Sequence, residues 1–218
     1  MTMPSVNGSG GAPAGPDDWE ARYRGVQPPP WEIGGPQPAL LQVIDGGILD
    51  TVGARVLDVG CGTGDLAIAL AARGYEVLGV EISPTAIAQA REKAQRAGVR
   101  VHFEVQDATN LSLSQAPFDA LVDSGLLHNL HRADDTAAVR RYLAQLPSLV
   151  APGGVAVILA IALDGTQPWG MTEADLRDAF GPPTWTDTRV DACSVAARVG
   201  DEDLALPGLL LRAFRRPA

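Results

Sequence analysis

The segment Val56-Leu57-Asp58-Val59-Gly60-Cys61-Gly62-Thr63-Gly64-Asp65-Leu66 reads as an apolar strand, a turn with glycine at alternate positions, and the start of a helix. Glycines so spaced let the backbone pass close to a ligand and leave amide groups free at a helix N-terminus. The sequence on either side builds the same kind of unit again. Apolar runs at 55–59, 76–80, 101–105, 120–123 and 155–162 predict strands, and helical periodicity lies between them at 65–73, 84–97 and 135–150. Ser83 is a natural N-cap ahead of Pro84 at the first helical position. Strands alternating with helices predict an α/β fold, a parallel sheet covered on both faces.

Residues 1–16 are Pro, Gly, Ser and Ala without a buriable pattern, which predicts a disordered tail, and residues 17–218 are expected to form a single domain. Within 17–38, Trp19, Tyr23 and Trp31 stand among prolines and glycines, with a short helix expected at 18–23. Apolar spacing over 39–49 predicts a further helix. After 162 the pattern changes. Thr172, with Asp175 three positions later, caps a short helix reaching Phe180, and β-rich segments at 186–199 and 209–214 predict an antiparallel hairpin on the sheet edge.

The chain has 218 residues, and Asp plus Glu outnumber Lys plus Arg by 26 to 17, for a net charge of -9. That balance opposes a phosphate-tracking surface, so no nucleic-acid partner is expected. Cys61 and Cys193 form no CxxC pair and predict neither a disulfide framework nor a zinc cluster. With no apolar run long enough for a membrane span and no signal-peptide pattern at the N-terminus, a soluble cytoplasmic protein without a membrane partner is expected.

Two ligands compete for the glycine turn. A dinucleotide fingerprint is G-x-G-x-x-G, but the third glycine position here is Asp65, which weakens a hydride-transfer reading. Asp58, just before the turn, would repel a pyrophosphate and suits a ligand with an amino group and a cationic centre, such as S-adenosylmethionine. Glu81 ends the next strand, where a carboxylate can accept both hydroxyls of a ribose. Further along stand Gln106-Asp107-Ala108, Phe118-Asp119 and Ala151-Pro152-Gly153-Gly154. In this ordered set, over about residues 39–218, the chain resembles the class I S-adenosylmethionine-dependent methyltransferases. The resemblance implies a Rossmann-like, seven-stranded, mostly parallel sheet with a C-terminal antiparallel hairpin and helices on both faces. It also implies that S-adenosylmethionine is the cofactor. The backbone at Gly60, Cys61, Gly62 and Gly64, with Asp58, would hold its methionine part, Glu81 the ribose, Ile82 an adenine face, and Asp107 with Ala108 the adenine edge. Asp123, at the end of the fourth strand, joins this cofactor set.

Trp19 to Tyr23 followed by Pro30-Trp31-Glu32-Ile33-Gly34-Gly35-Pro36-Gln37-Pro38 resembles the N-terminal segment of the small-molecule branch. That branch includes thiopurine, thiol/halide and bacterial heterocycle or quinolone methyltransferases. The resemblance implies a lid over 17–38 with Trp19 and Trp31 beside the cofactor, since an aromatic face accommodates a sulfonium and excludes water. Asp123-Ser124-Gly125-Leu126 lacks the Pro-Pro-aromatic motif of enzymes that methylate amines of DNA bases.

His128 is the expected catalytic residue, with an ordinary pKa near neutrality that suits proton removal from a phenolic or enolic hydroxyl. The competing reading is a helix-starting residue bonded to backbone. Tyr23, His131 and Trp169 join His128 as expected substrate contacts. No metal is expected, because Asp123 has no evident carboxylate partner near Asp164. The implied activity is methyl transfer to a small aromatic or heteroaromatic hydroxyl, by a monomer or weak homodimer. A thiol or halide acceptor and a non-catalytic cofactor-binding regulator are the alternatives.

Overall fold

A computed structural model describes residues 15–25, 27–133, 135–165 and 169–217. The tail expected over 1–16 lies outside them as far as residue 14, and Pro16 already belongs to a helix. The elements run α1 (Pro16–Arg24), α2 (Pro38–Asp45), β1 (Arg55–Val59), α3 (Asp65–Ala72), β2 (Glu76–Glu81), α4 (Pro84–Ala97) and β3 (His102–Val105). The second half adds β4 (Phe118–Ser124), α5 (Leu126–Arg132), α6 (Thr136–Leu149), β5 (Val150–Ile161), α7 (Glu173–Ala179), β6 (Trp185–Val199) and β7 (Glu202–Arg215).

All seven strands join one sheet in the order β3-β2-β1-β4-β5-β7-β6. The first five run parallel, and β7 enters antiparallel between β5 and β6. This is the Rossmann-like architecture that the family resemblance implied.

Local chemistry fixes the element ends. The Ser83 hydroxyl accepts from the Ala86 amide at 3.1 Å, and Gly98 closes α4 at φ 68°. Thr172 and Asp175 complete a capping box on α7. The helix expected to reach Leu49 stops at Asp45, because Gly46 and Gly47 follow and Gly47 takes φ 82°. The hairpin runs longer than its apolar runs predicted. Ile161, the last residue of β5, pairs with Gly208, so Pro207 falls where β7 has one neighbouring strand instead of two, a position that tolerates its missing N–H.

Successive strand residues face opposite layers, as the two-residue period of a strand requires. Val56, Val122 and Val157 pack with Leu40 of α2, Leu70 of α3 and Ile87 of α4. Leu57, Leu121 and Ile158 pack with Tyr142 and Leu146 of α6 and Leu176 of α7. β1 has β2 on one side and β4 on the other, and the chains leaving β1 and β4 pack on opposite layers through Leu66 and Leu127. Parallel sheets bind ligands at such a switch point, outside the C-terminal strand ends. Among the described residues, no helix is long and apolar enough to cross a membrane.

Leu121 is fully buried in the middle of the sheet. Leu121→Ala should remove about 2–5 kcal/mol of stability, read as a lowered denaturant midpoint without a change in slope.

Candidate active site

The crevice beyond β1, β2 and β4 is a cavity whose floor is the glycine turn. The amides of Gly60 and Cys61 donate to the Val80 carbonyl at 2.8 and 3.0 Å. The Gly62 amide donates to Glu81 Oε2 at 3.2 Å, while Glu81 Oε1 accepts from Ile82 and Ser83 at 2.9 and 3.1 Å. Glu81 therefore ties the turn to the end of β2. Burial pushes its pKa up against the pull of these three amides. Gly62 takes φ 53°, and a Cβ there would stand 2.9 Å from the Tyr23 hydroxyl. Only glycine lets α1 lie so close to the turn.

Asp58 and Asp123 end the two strands below this floor. Asp58 is 1% exposed, and neither of its carboxylate oxygens makes a well-formed hydrogen bond. Burial first, and then the charges of Asp123 and Glu81, raise its pKa to about 7 against weak help from the Ala67 amide. Asp123 is satisfied. Its Oδ1 accepts from Gly125 and Leu126 at 2.9 and 2.6 Å, and its Oδ2 from Leu127 and the Tyr142 hydroxyl at 3.0 and 2.8 Å. Burial raises its pKa to about 6 despite these donors.

An N-terminal wall closes one side. Trp31 donates from Nε1 to the Tyr23 hydroxyl at 3.1 Å, and its ring centroid lies 5.7 Å from that of Trp19. The wall is tied down by groups that the sequence did not single out. Glu20 accepts from the hydroxyls of Ser83 and Thr85. Glu32 accepts from the Thr63 hydroxyl and pairs with Lys93, which also bridges Asp65 at 2.9 Å. The Gln37 side chain donates to the Ala196 carbonyl and accepts from its amide, at 2.8 and 2.9 Å, tying the wall to the hairpin.

His128 sits in the first turns of α5, and its ring stacks on Trp169 with centroids 6.0 Å apart. The near-neutral pKa expected from its type is corrected here. Burial, followed by the charge of Arg132, lowers it to about 3, so the imidazole is neutral across the physiological range. The Asn129 amide donates to Nε2 at 3.3 Å. Burial and the nearby Asp58 hold the Cys61 thiol well above its ordinary pKa, so it stays protonated.

Trp19, Tyr23, Trp31, Asp58, Gly60, Cys61 and Gly62 all line this one cavity. So do Glu81, Ile82, Asp107, Ala108, His128 and Trp169. Three expected residues do not. Asp123 spends its carboxylate capping α5 and bonding Tyr142. Gly64 caps α3 at φ 84°, where a Cβ would stand 2.8 Å from the Phe103 ring, so its role is packing. His131 is exposed on α5 and lies near Asp175. Sequence reading missed Arg22, Arg132, Leu206 and the hairpin residues 195–197, which also line the cavity. An isolated arginine carries no periodic signal, and the hairpin comes close only through the sheet order. Among the described residues, no group of three or more His, Cys, Asp or Glu is placed to hold a metal.

Residues 56–154 match the model of a methyltransferase domain. The chain is 33% identical to the 2-heptyl-1-hydroxyquinolin-4(1H)-one methyltransferase of Mycobacteroides abscessus, over 74% of each chain. It belongs to the class I S-adenosylmethionine-dependent methyltransferases. This methyltransferase also superposes with a TM-score of 0.82 on a chain solved in work on the conversion of a disulfide bond into a thioacetal group during echinomycin biosynthesis. Identity there is 34%, with 93% of both chains covered. The N-methyltransferase NodS of Bradyrhizobium japonicum, solved with S-adenosyl-L-homocysteine, shares the fold at 20% identity and a TM-score of 0.67, over 93% of this chain and 98% of its own. The cavity of this methyltransferase fits the cofactor on its own terms. A buried carboxylate whose oxygens make no well-formed hydrogen bond stands under a glycine-rich turn, as a cationic ligand needs.

An Asp58 carboxyl with a pKa near 7 is neutral below that pH and charged above it. S-adenosylmethionine affinity should therefore fall as pH drops below about 7, by about tenfold per unit at the limit, and level off above it. Calorimetry across that range checks this, and Asp58→Asn should flatten the profile.

Proposed function

We propose that this methyltransferase methylates a small, flat heteroaromatic acceptor at an oxygen. The observation that carries the reading is the cavity lining, where the stacked rings of His128 and Trp169 share the cavity with Leu126, Leu159, Ile161 and Leu206. Such a surface favours a planar apolar molecule. The hydroxyquinolone named for the Mycobacteroides relative is of this kind.

When bound, S-adenosylmethionine supplies an electrophilic methyl on a positively charged sulfur. In this reading, Asp58 and the backbone of Gly60, Cys61 and Gly62 hold its methionine part. Glu81 takes the ribose hydroxyls, Ile82 an adenine face, and Asp107 with Ala108 the adenine edge. Trp19 and Trp31 lie beside the cation and keep water out. His128 orients the acceptor. A proton acceptor with a pKa near 3 is badly matched to an ordinary phenol near 10, so His128 is not assigned as the base. The same observation supports a second reading, a sulfur acceptor, because an ionised thiol needs no base.

Incubation with hydroxylated quinolones, phenols and thiols, read by mass spectrometry, tests the reading. A 1-hydroxyquinolin-4-one should gain the mass of one methyl substituent, and its analogue without the N-hydroxyl should not. Methylation of thiols alone would move the assignment to sulfur, and no turnover on the panel would overturn both.

Residues 17–38 form the lid in this proposal. Their described tertiary hydrogen bonds run mostly through side chains and not through a sheet ladder, so the segment should exchange its amides faster than the sheet does. S-adenosyl-L-homocysteine should slow that exchange. Hydrogen exchange across 19–25 and 27–38 that is equally slow with and without ligand would make the segment a fixed wall.

A further inference from the structure

The imidazole of His128 is held on three sides, and the contacts decide which of its nitrogens carries the proton. Trp169 lies against one face, with ring centroids 6.0 Å apart and planes 21° from parallel. Gly125 makes room at the Cε1 edge, since a Cβ there would stand 2.9 Å from that carbon. Asn129, the next residue, faces Nε2 with its side-chain nitrogen at 3.3 Å.

The orientation of the Asn129 amide is fixed from its other side. The same nitrogen, Nδ2, lies 2.7 Å from the Gly125 carbonyl oxygen. A carbonyl only accepts, so the atom of Asn129 that faces it is the donating nitrogen and not the amide oxygen. One N–H of the amide goes to Gly125, and the other is left for Nε2. Nε2 must then present a lone pair. A neutral imidazole has one donor and one acceptor nitrogen, so the proton sits on Nδ1. A doubly protonated ring would set an N–H against an N–H at Nε2, which agrees with the burial and the Arg132 charge that keep His128 neutral.

Nδ1 is the atom left over. His128 is 7% exposed and lines the cavity. Its Nδ1 is buried and has no hydrogen-bond partner among the described residues. A buried N–H without an acceptor is costly, and native proteins keep few of them. The cavity that His128 borders takes the acceptor in the function proposed above, so a bound molecule can bring the missing lone pair.

We infer that Asn129 is a positioning residue that holds the His128 proton on Nδ1, and that His128 serves the methyl acceptor as a hydrogen-bond donor to a carbonyl or other ring oxygen substituent. This rests on the proposed methylation of a flat heteroaromatic molecule and narrows its class to molecules that carry such an oxygen. It gives His128 work that requires no proton uptake. The stack on Trp169 sets the plane of the acceptor's neighbour, and the Nδ1 proton selects what the acceptor must present to it.

Nitrogen-15 NMR of the imidazole reads the tautomer directly. The chain has three histidines, and His102→Gln with His131→Gln leaves His128 as the single signal. The proton should be found on Nδ1. Asn129→Asp replaces the donor by a group that only accepts, so the proton should move to Nε2, with the thermal midpoint reporting that the variant is folded. Asn129→Ala serves where the Asp variant does not fold, and should give a mixture of the two tautomers. Calorimetry on the protein saturated with S-adenosyl-L-homocysteine reads the donor role, with 4-chromanone and chroman as probes that differ at the ketone. 4-Chromanone should bind about threefold to tenfold more tightly. His128→Phe should abolish that preference while keeping S-adenosyl-L-homocysteine affinity. A proton on Nε2 in the wild-type surroundings, or one that stays wholly on Nδ1 in the Asn129 variants, would overturn the role of Asn129. Equal binding of the two probes, or an undiminished preference in His128→Phe, would overturn the donor role. An Nδ1 proton and an intact preference with no methylation on the acceptor panel would sink the function proposal alone.

Discussion

At Gly62 the backbone passes so near α1 that one added Cβ would stand 2.9 Å from the Tyr23 hydroxyl. The rest of the site depends on that approach. It allows the turn after β1 to lie flat against Val80 and Glu81, starts α3 on one side, and lets Tyr23 and Trp31 roof the cavity on the other. A side chain at this point would be strained at φ 53° and would press on the Tyr23 hydroxyl and the Glu32 carboxylate. The same close approach explains the work of Glu81, whose carboxylate accepts three backbone N–H groups and so fixes the turn before any ligand arrives.

Two buried strand-end carboxylates play opposite parts. Asp123 receives four donors and becomes the anchor of α5, which places His128 and Arg132. Asp58 stays poorly satisfied, a condition that costs stability unless a ligand compensates it. Preserving such a strained electrostatic state is expected where binding energy is to be gained. The charge of Asp123 adds to the pressure on Asp58, although Asp123 itself does not line the cavity.

The N-terminal wall is held by polar latches. Glu20 grips the start of α4, Glu32 grips Thr63 and Lys93, and Gln37 grips the hairpin. Each latch ends on an element that also lines or carries the cavity. The tryptophans supply an apolar face toward the cavity, and the acids decide where that face sits.

Much of this was legible in the sequence because it is local. The two-residue and 3.6-residue periods gave the alternating strands and helices. Glycine spacing marked the turn, and Ser83 with Pro84 and Thr172 with Asp175 marked two helix starts. These signals are set by backbone sterics and capping within a few residues, so no partner from elsewhere in the chain is needed to read them. The tertiary structure decided the rest. Asp123 and Asp58 are equivalent strand-end acids by sequence, and only the approach of Tyr142 and the α5 amides satisfies one and leaves the other exposed to its charge. His128 has a near-neutral pKa by type, yet burial against Trp169 and Arg132 makes it a weak base. Arg22 and Arg132 lie far apart along the chain, yet both line the one cavity. Desolvation and charge proximity depend on which distant segments pack together, and that information exists only once the chain has folded.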